Sequence, residues 1–145
     1  MKKRININTL EPGAYQSMSG MEKYLSSIDL DASLKELIKI RTSQINGCAY
    51  CIQMHTEQAR TQGETEQRIY ALSVWKESPL FSDRERAVLA LTEEVTLISY
   101  QGLTNDTYER ALEHLGEHKL AQSIMLIVTS NAWNRIAVST NMQHE

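Results

Sequence analysis

Residues 33–55 read SLKELIKIRTSQINGCAYCIQMH, and this stretch decides the fold. Leu34, Leu37, Ile38, Arg41 and Ile45 fall at steps of three and four, so one helix beginning near Asp31 or Ser33 carries them on one face. Ser33-Leu34-Lys35-Glu36 has the form of a capping box, in which Glu36 would bond back to the Ser33 amide. Asn46-Gly47 breaks the pattern. A second helix then runs from Cys48 to about Thr61, with Gly63 marking its end. If the chain turns at that break, the two helices lie side by side as a hairpin.

The same punctuation governs the rest of the chain, which holds only two prolines and six glycines. A first helix is expected over about Gly13 to Ser26, where Tyr15, Met18, Met21, Tyr24 and Leu25 give rough helical spacing. A short one follows from Glu64 to Val74. Ser82-Asp83-Arg84-Glu85 is a second capping-box pattern, and it introduces the apolar series Ala87, Val88, Leu91, Val95 and Ile98 up to Gly102. Further helices span Asn105 to Leu115, stopped at Gly116, and about Glu117 to Thr140. The last holds the most apolar run, Ile124 to Val128, and should be central. No segment alternates convincingly as a strand. The reading is an all-α bundle of about six to seven helices, one domain over residues 1–145.

Composition narrows the function. Of 145 residues, 41% are hydrophobic and 23% charged, with net charge −3, as in an ordinary globular chain. Lysine and arginine are scattered, so no basic patch offers itself to nucleic acid. No run of about 18 apolar residues could span a membrane. The basic start, MKKRININTL, lacks the apolar core of a signal peptide. These features predict a cytoplasmic protein with neither nucleic acid nor membrane as partner. In a reducing compartment the two cysteines, Cys48 and Cys51, make a poor structural staple, because a bridge closing so short a loop removes little entropy.

Their spacing suits other work. If Cys48 opens a helix, Cys51 lies one turn along and His55 one turn further, near one face. The cysteine Cα atoms are then about 5 Å apart, within reach of a disulfide that opens and closes with little backbone movement. Free amides at a helix N-terminus favour thiolate, and His55 could relay a proton or, as imidazolium, stabilise the thiolate. Two alternatives stay open: a pair of small buried apolar residues, or a zinc site using Cys48, Cys51, His55 and Glu36.

Glu36, then Ser43-Gln44-Ile45-Asn46-Gly47-Cys48-Ala49-Tyr50-Cys51, then His55, resembles the core signature of the AhpD-like alkylhydroperoxidases of the carboxymuconolactone decarboxylase superfamily. Trp75, residues 82–87, Leu91-Thr92-Glu93-Glu94-Val95-Thr96 and Asn131-Ala132-Trp133-Asn134-Arg135 extend the likeness over about residues 10 to 140. The resemblance implies an AhpD-like helical fold, a homo-oligomer (trimer or hexamer), and reduction of hydrogen peroxide or organic hydroperoxides by a dithiol. By motif position Cys51 is peroxidatic and Cys48 resolving, while Glu36 and His55 carry protons. A dithiol or protein-thiol reductant completes the cycle, and no haem, flavin or metal cofactor is needed. Cys48, nearer the helix end, is expected to be the accessible sulfur that meets the reductant. The chain departs from the best-studied peroxidase branch in placing Tyr50, rather than histidine, before the second cysteine. A tyrosine is a poor base near neutral pH. A redox-sensing module with little turnover is therefore the alternative reading, while the cysteine pair weighs against decarboxylase chemistry.

Other polar and aromatic residues receive plainer readings. His114 and His118 are expected to be solvated at a helix junction, and Trp75 and Trp133 to anchor packing. Glu93 and Glu94 are assigned to an exposed face. Asn134 and Arg135 would satisfy buried helix ends or make a subunit contact.

Overall fold

The hairpin predicted from residues 33–55 forms the spine of the molecule. In a computed structural model, which describes residues 1–144, the chain folds into α1 (Ile7–Leu10), α2 (Pro12–Ser27), α3 (Ala32–Asn46), α4 (Ala49–Thr61), α5 (Glu66–Ala71), a 3₁₀ segment (Leu72–Glu77), α6 (Asp83–Thr96), α7 (Ile98–Gln101) and α8 (Asn105–Ser139). No strand occurs among the described residues. α8 is interrupted at Gly116, whose φ of 76° and ψ of 166° take it out of the helix, so the expected stop there is a break between two collinear-numbered halves.

α3 is buried from two sides, and this explains its sequence. Leu34 and Ile38 join Leu25, Val88, Leu91, Leu115, Leu126 and Ile127 in a core shared with α6 and α8. Leu37 and Ile40 join Ala59, Leu72, Trp75, Phe81 and Leu89 in a second core on the other side. Each such fully buried leucine or isoleucine contributes about 1.5–3 kcal/mol relative to exposure. The flank left over holds Glu36 and Lys39, and it is covered by α4. α8 packs on both α3 and α6, so the apolar run ending in Val128 is central as expected, with Leu126 and Ile127 inward and Met125 and Val128 outward.

Several boundaries differ from the sequence expectation. The single turn α1 was not foreseen; Asn6 caps it, its Oδ1 accepting from the Thr9 amide. The segment after Gly63 is helical only to Ala71 and tightens into the 3₁₀ segment, where Val74 leaves helical geometry. The helix from Ser82 stops at Thr96 because Leu97 turns out of it, and α7 adds one more turn before Gly102. The Ser82–Glu85 capping box forms in full. The Ser33–Glu36 box does not: α3 begins at Ala32 with Asp31 at the cap position, so Ser33 already lies in the first turn. Its hydroxyl instead points to Glu64 Oε2, 3.4 Å away.

Candidate active site

The turn between α3 and α4 sets the cysteines. Gly47 sits at φ 66°, ψ 36°, the left-handed conformation that ends a helix most easily without a Cβ. The Gly47 and Cys48 amides close back on the Gln44 and Ser43 carbonyls at 3.2 and 3.0 Å. Asn46 locks the turn to α8, its Nδ2 donating to Asn131 Oδ1 at 3.0 Å and Asn134 Oδ1 at 2.9 Å. Asn134 in turn donates to Ser43 Oγ at 3.1 Å. Asn134 is buried and bonds the Asn46 and Ser43 side chains at the end of α3. Arg135 is exposed and donates to Asn131 Oδ1 at 2.8 Å.

Cys48 is the N-cap of α4, its sulfur accepting from the Cys51 amide at 3.3 Å. The two cysteines are joined as a disulfide, with Cα atoms 5.3 Å apart, as the one-turn spacing required. Both are buried, Cys48 at 1% and Cys51 at 3% exposure. The expectation that Cys48 is the accessible sulfur fails. Ala137 and Met142 pack against the pair, and only Cys51 reaches the wall of the adjoining cavity. The cause is the C-terminal segment, which returns over the helix start: His144 stacks on Tyr50 with ring centroids 4.3 Å apart and its Nε2 lies 2.8 Å from the Tyr50 carbonyl oxygen.

That cavity encloses about 390 Å³ between α2, α3, α4 and α8. Cys51, His55, Lys39 and Gln58 line its polar side, and Tyr15, Tyr50, Met54, Trp133 and Met142 its apolar side. Tyr15 meets Trp133 edge to face at 5.4 Å, and Trp133 Nε1 donates to Glu22 Oε1 at 2.8 Å. Trp133 is thus part of the cavity wall and not merely a packing anchor. Trp75 is the anchor: buried, its Nε1 bonds Glu93 Oε1 at 2.8 Å. Glu93 also takes Arg41 at 3.0 Å and belongs to this half-buried network, not to an open face. His114 and His118 are exposed, as read.

Glu36 lies behind His55. Its carboxylate is 5% exposed, with Oε1 3.4 Å from Lys39 Nζ and Oε2 4.0 Å from His55 Nδ1, and Oε2 has no hydrogen-bond partner. Burial pushes the Glu36 carboxyl above its ordinary value, against the opposing pull of Lys39 and Lys35. Burial, and then the positive charge of Lys39, lower His55 to about 4, with Gln58 opposing. The pair is therefore no salt bridge at neutral pH. In this disulfide form His55 is a neutral imidazole there, one turn from Cys51. Among the described residues no three His, Cys, Asp or Glu side chains cluster so as to hold a metal ion. No described helix is long and apolar enough to cross a membrane.

A helical bundle with a one-turn cysteine pair at the start of a helix, opening on a small cavity, defines a dithiol protein of the AhpD-like class. The family model for the carboxymuconolactone decarboxylase family matches residues 12–94, and the chain belongs to that family. Uncharacterized protein YdfG of Bacillus subtilis (strain 168) is 42% identical over 139 residues, covering 96% of this chain and 95% of its own length. A protein of unknown function from Agrobacterium tumefaciens, suggested to be the antioxidant defence protein AhpD, superposes with a TM-score of 0.96 at 38% identity, over 99% of each chain. The debrominase Bmp8 shares the fold, at 19% identity and a TM-score of 0.83, over 94% of this chain and 74% of that one.

Lys39, Gln58, Tyr15 and Trp133 were not read as site residues. Lys39 was within reach of the sequence, standing one helical turn from Glu36. Tyr15 and Trp133 come from helices remote in sequence, and no spacing links them to the cysteines.

Proposed function

We propose that the chain is a thiol-dependent peroxidase, reducing hydrogen peroxide or an organic hydroperoxide through Cys51 and Cys48. The observation that carries this reading is the placing of Cys51 at a cavity wall, within disulfide reach of Cys48, with His55 and Glu36 behind it. The Cys51 thiolate attacks one peroxide oxygen, the O–O bond breaks, and the leaving oxygen takes a proton relayed by His55 to depart as water or alcohol. Cys51 is left as a sulfenic acid. The Cys48 thiolate attacks that sulfur, hydroxide leaves and is protonated to water, and the disulfide closes. A dithiol reductant reopens it by exchange. Cavity geometry supports Cys51 as the attacking sulfur; the helix N-terminus favours thiolate at Cys48, whose role is the second attack.

The test is peroxide consumption with a dithiol reductant, comparing wild type, Cys51→Ser and Cys48→Ser. Turnover in wild type alone supports the assignment, and equal rates in all three contradict it. A second reading, a redox switch with little turnover, is favoured by the packing of Met142 and His144 around the disulfide. It requires one equivalent of peroxide consumed per dithiol and no recycling by any thiol system.

A homo-oligomer is part of the proposal. Val74, Ile98, Tyr100 and Val128 stand exposed, more apolar surface than a monomer needs to show. Light scattering at micromolar concentration should give a multiple of the 16.5 kDa chain mass; the monomer mass contradicts it.

A further inference from the structure

A second cavity, of about 320 Å³, lies at the other end of the α3–α4 pair. Its wall includes Ala32 and Ser33 from α3, Ala59 from α4, and Glu36. The register of the two helices explains why. On α3, Ala32 and Ser33 stand one turn before Glu36, and Lys39 one turn after it. On α4, Ala59 stands one turn beyond His55, and Cys51 one turn before it. Glu36 and His55 thus form the partition between two chambers: the cavity at Cys51 holds Lys39 and His55 but not Glu36, and the second holds Glu36 but not His55. Ala32, Ser33, Gln62 and Gly63 are exposed, so the second chamber opens to solvent at its own mouth. It is roomy enough, and polar enough at Ser33, Gln62 and Glu64, to hold water.

We infer that the second cavity is a separate proton channel, through which Glu36 exchanges protons with solvent and passes them by way of His55 to the reaction at Cys51. This rests on the proposed peroxidase reading and deepens it. Attack by a Cys51 thiolate on a hydroperoxide converts RS⁻, ROOH and one proton into RSOH and ROH, so each turnover needs a proton at the leaving oxygen. The chamber at Cys51 is largely apolar, walled by Tyr15, Trp133 and Met142. A back route delivers the proton from the side away from the peroxide. Glu36 is suited to the partition because Oε2 is buried without a partner and faces His55 Nδ1 at 4.0 Å, a nitrogen that also lies 3.4 Å from Gln58 Oε1. The charges facing it are Lys35 and Lys39 on its own helix, His55 on α4, and, across the cavity, Glu64 paired with Arg68 at 2.8 Å.

The test plugs the mouth without touching the partition. Ser33→Phe and Ala32→Phe both replace exposed residues at the cavity rim, and Gln67→Phe places the same ring on a nearby exposed site outside it. The first readout needs no activity. At a pH low enough for the acid form to be present, the infrared carbonyl band of Glu36, identified by its loss in Glu36→Gln, is followed after rapid transfer into D₂O. Its isotope shift should be slowed about tenfold or more in a plugged variant and unchanged in Gln67→Phe. The second readout is single-turnover oxidation of the reduced dithiol by peroxide, which should slow by a similar factor in the plugged variants. Isotope exchange as fast in both plugged variants as in wild type overturns the channel. Exchange slowed by plugging, with no peroxide consumed by the wild-type chain, upholds the solvent route to Glu36 and overturns the peroxidase reading. Slowed exchange with an undiminished oxidation rate shows that the reaction draws its protons elsewhere, and overturns the inference.

Discussion

Two stretches of this chain have the same pattern, a serine followed three residues later by a glutamate, and they end in opposite places. At Ser82 the box closes: Ser82 Oγ accepts from the Glu85 amide at 3.2 Å and Glu85 Oε1 accepts from the Ser82 amide at 2.9 Å. Glu85 also pairs with Arg68, which in turn reaches Glu64 at 2.8 Å. Burial, the largest single influence on Glu85, raises its carboxyl, yet the bonds from Arg68 and Ser82 together outweigh it and hold the group below its ordinary value. At Ser33 no box forms, Glu36 is buried with one oxygen unpaired, and its carboxyl is raised. A satisfied carboxylate serves the fold. An unsatisfied buried one costs stability, and its raised carboxyl marks a candidate proton carrier.

The contrast can be broken most sharply by activity. Glu36→Gln removes the proposed proton carrier and should slow single-turnover oxidation by peroxide by about two to three orders of magnitude. Glu85→Gln should leave that rate near wild type. Matching losses in the two variants would show that Glu36 is only another structural acid.

Stability should respond the other way round. Glu85→Ala strips Arg68 of one half-buried partner and opens the capping box, at a cost of about 1–3 kcal/mol in urea unfolding. Glu36→Gln should cost less than about 1 kcal/mol and gain on wild type as pH rises, because a raised carboxyl loses stability as it ionises. Comparable destabilisation of both would refute the division of roles.

His55 carries the comparison into pH. Its folded value of about 4 lies below the ordinary 6.5, so the folded chain binds fewer protons than the unfolded one between them. The stability from this group is complete above pH 6.5 and is lost as pH falls through 4. The loss amounts to about 3 kcal/mol. His55→Gln should therefore lose about that much less than wild type between pH 7 and pH 4. Parallel unfolding curves would place His55 in solvent.

The helices were legible because their apolar residues recur at steps of three and four, and because Gly47, Gly63, Gly102 and Gly116 fall where helices end. The cysteine pair and His55 were legible because all three lie on one short helix. Glu36 was reached only by resemblance, since its local pattern argued for a cap. What separates it from Glu85 is where each helix starts. Asp31 takes the cap position before Ala32, whereas Ser82 is itself the extended cap residue of α6. The apolar wall at Tyr15 and Trp133, and the return of Met142 and His144 over the cysteines, depend on packing between distant helices that periodicity does not encode.

The smallest effect tests the caps themselves. Ser82→Ala should cost about 1 kcal/mol, and Ser33→Ala less than about 0.5 kcal/mol, by chemical denaturation. Equal costs would mean that the Ser33 pattern works as a cap after all.

The central claim is that Cys51 reacts first, at the cavity wall, with Cys48 behind it. Cys48→Ser, reduced and treated with one equivalent of peroxide, should give a dimedone adduct located by mass spectrometry on Cys51. Cys51→Ser under the same treatment should give none. An adduct on Cys48 in Cys51→Ser, with none on Cys51 in Cys48→Ser, would contradict the account.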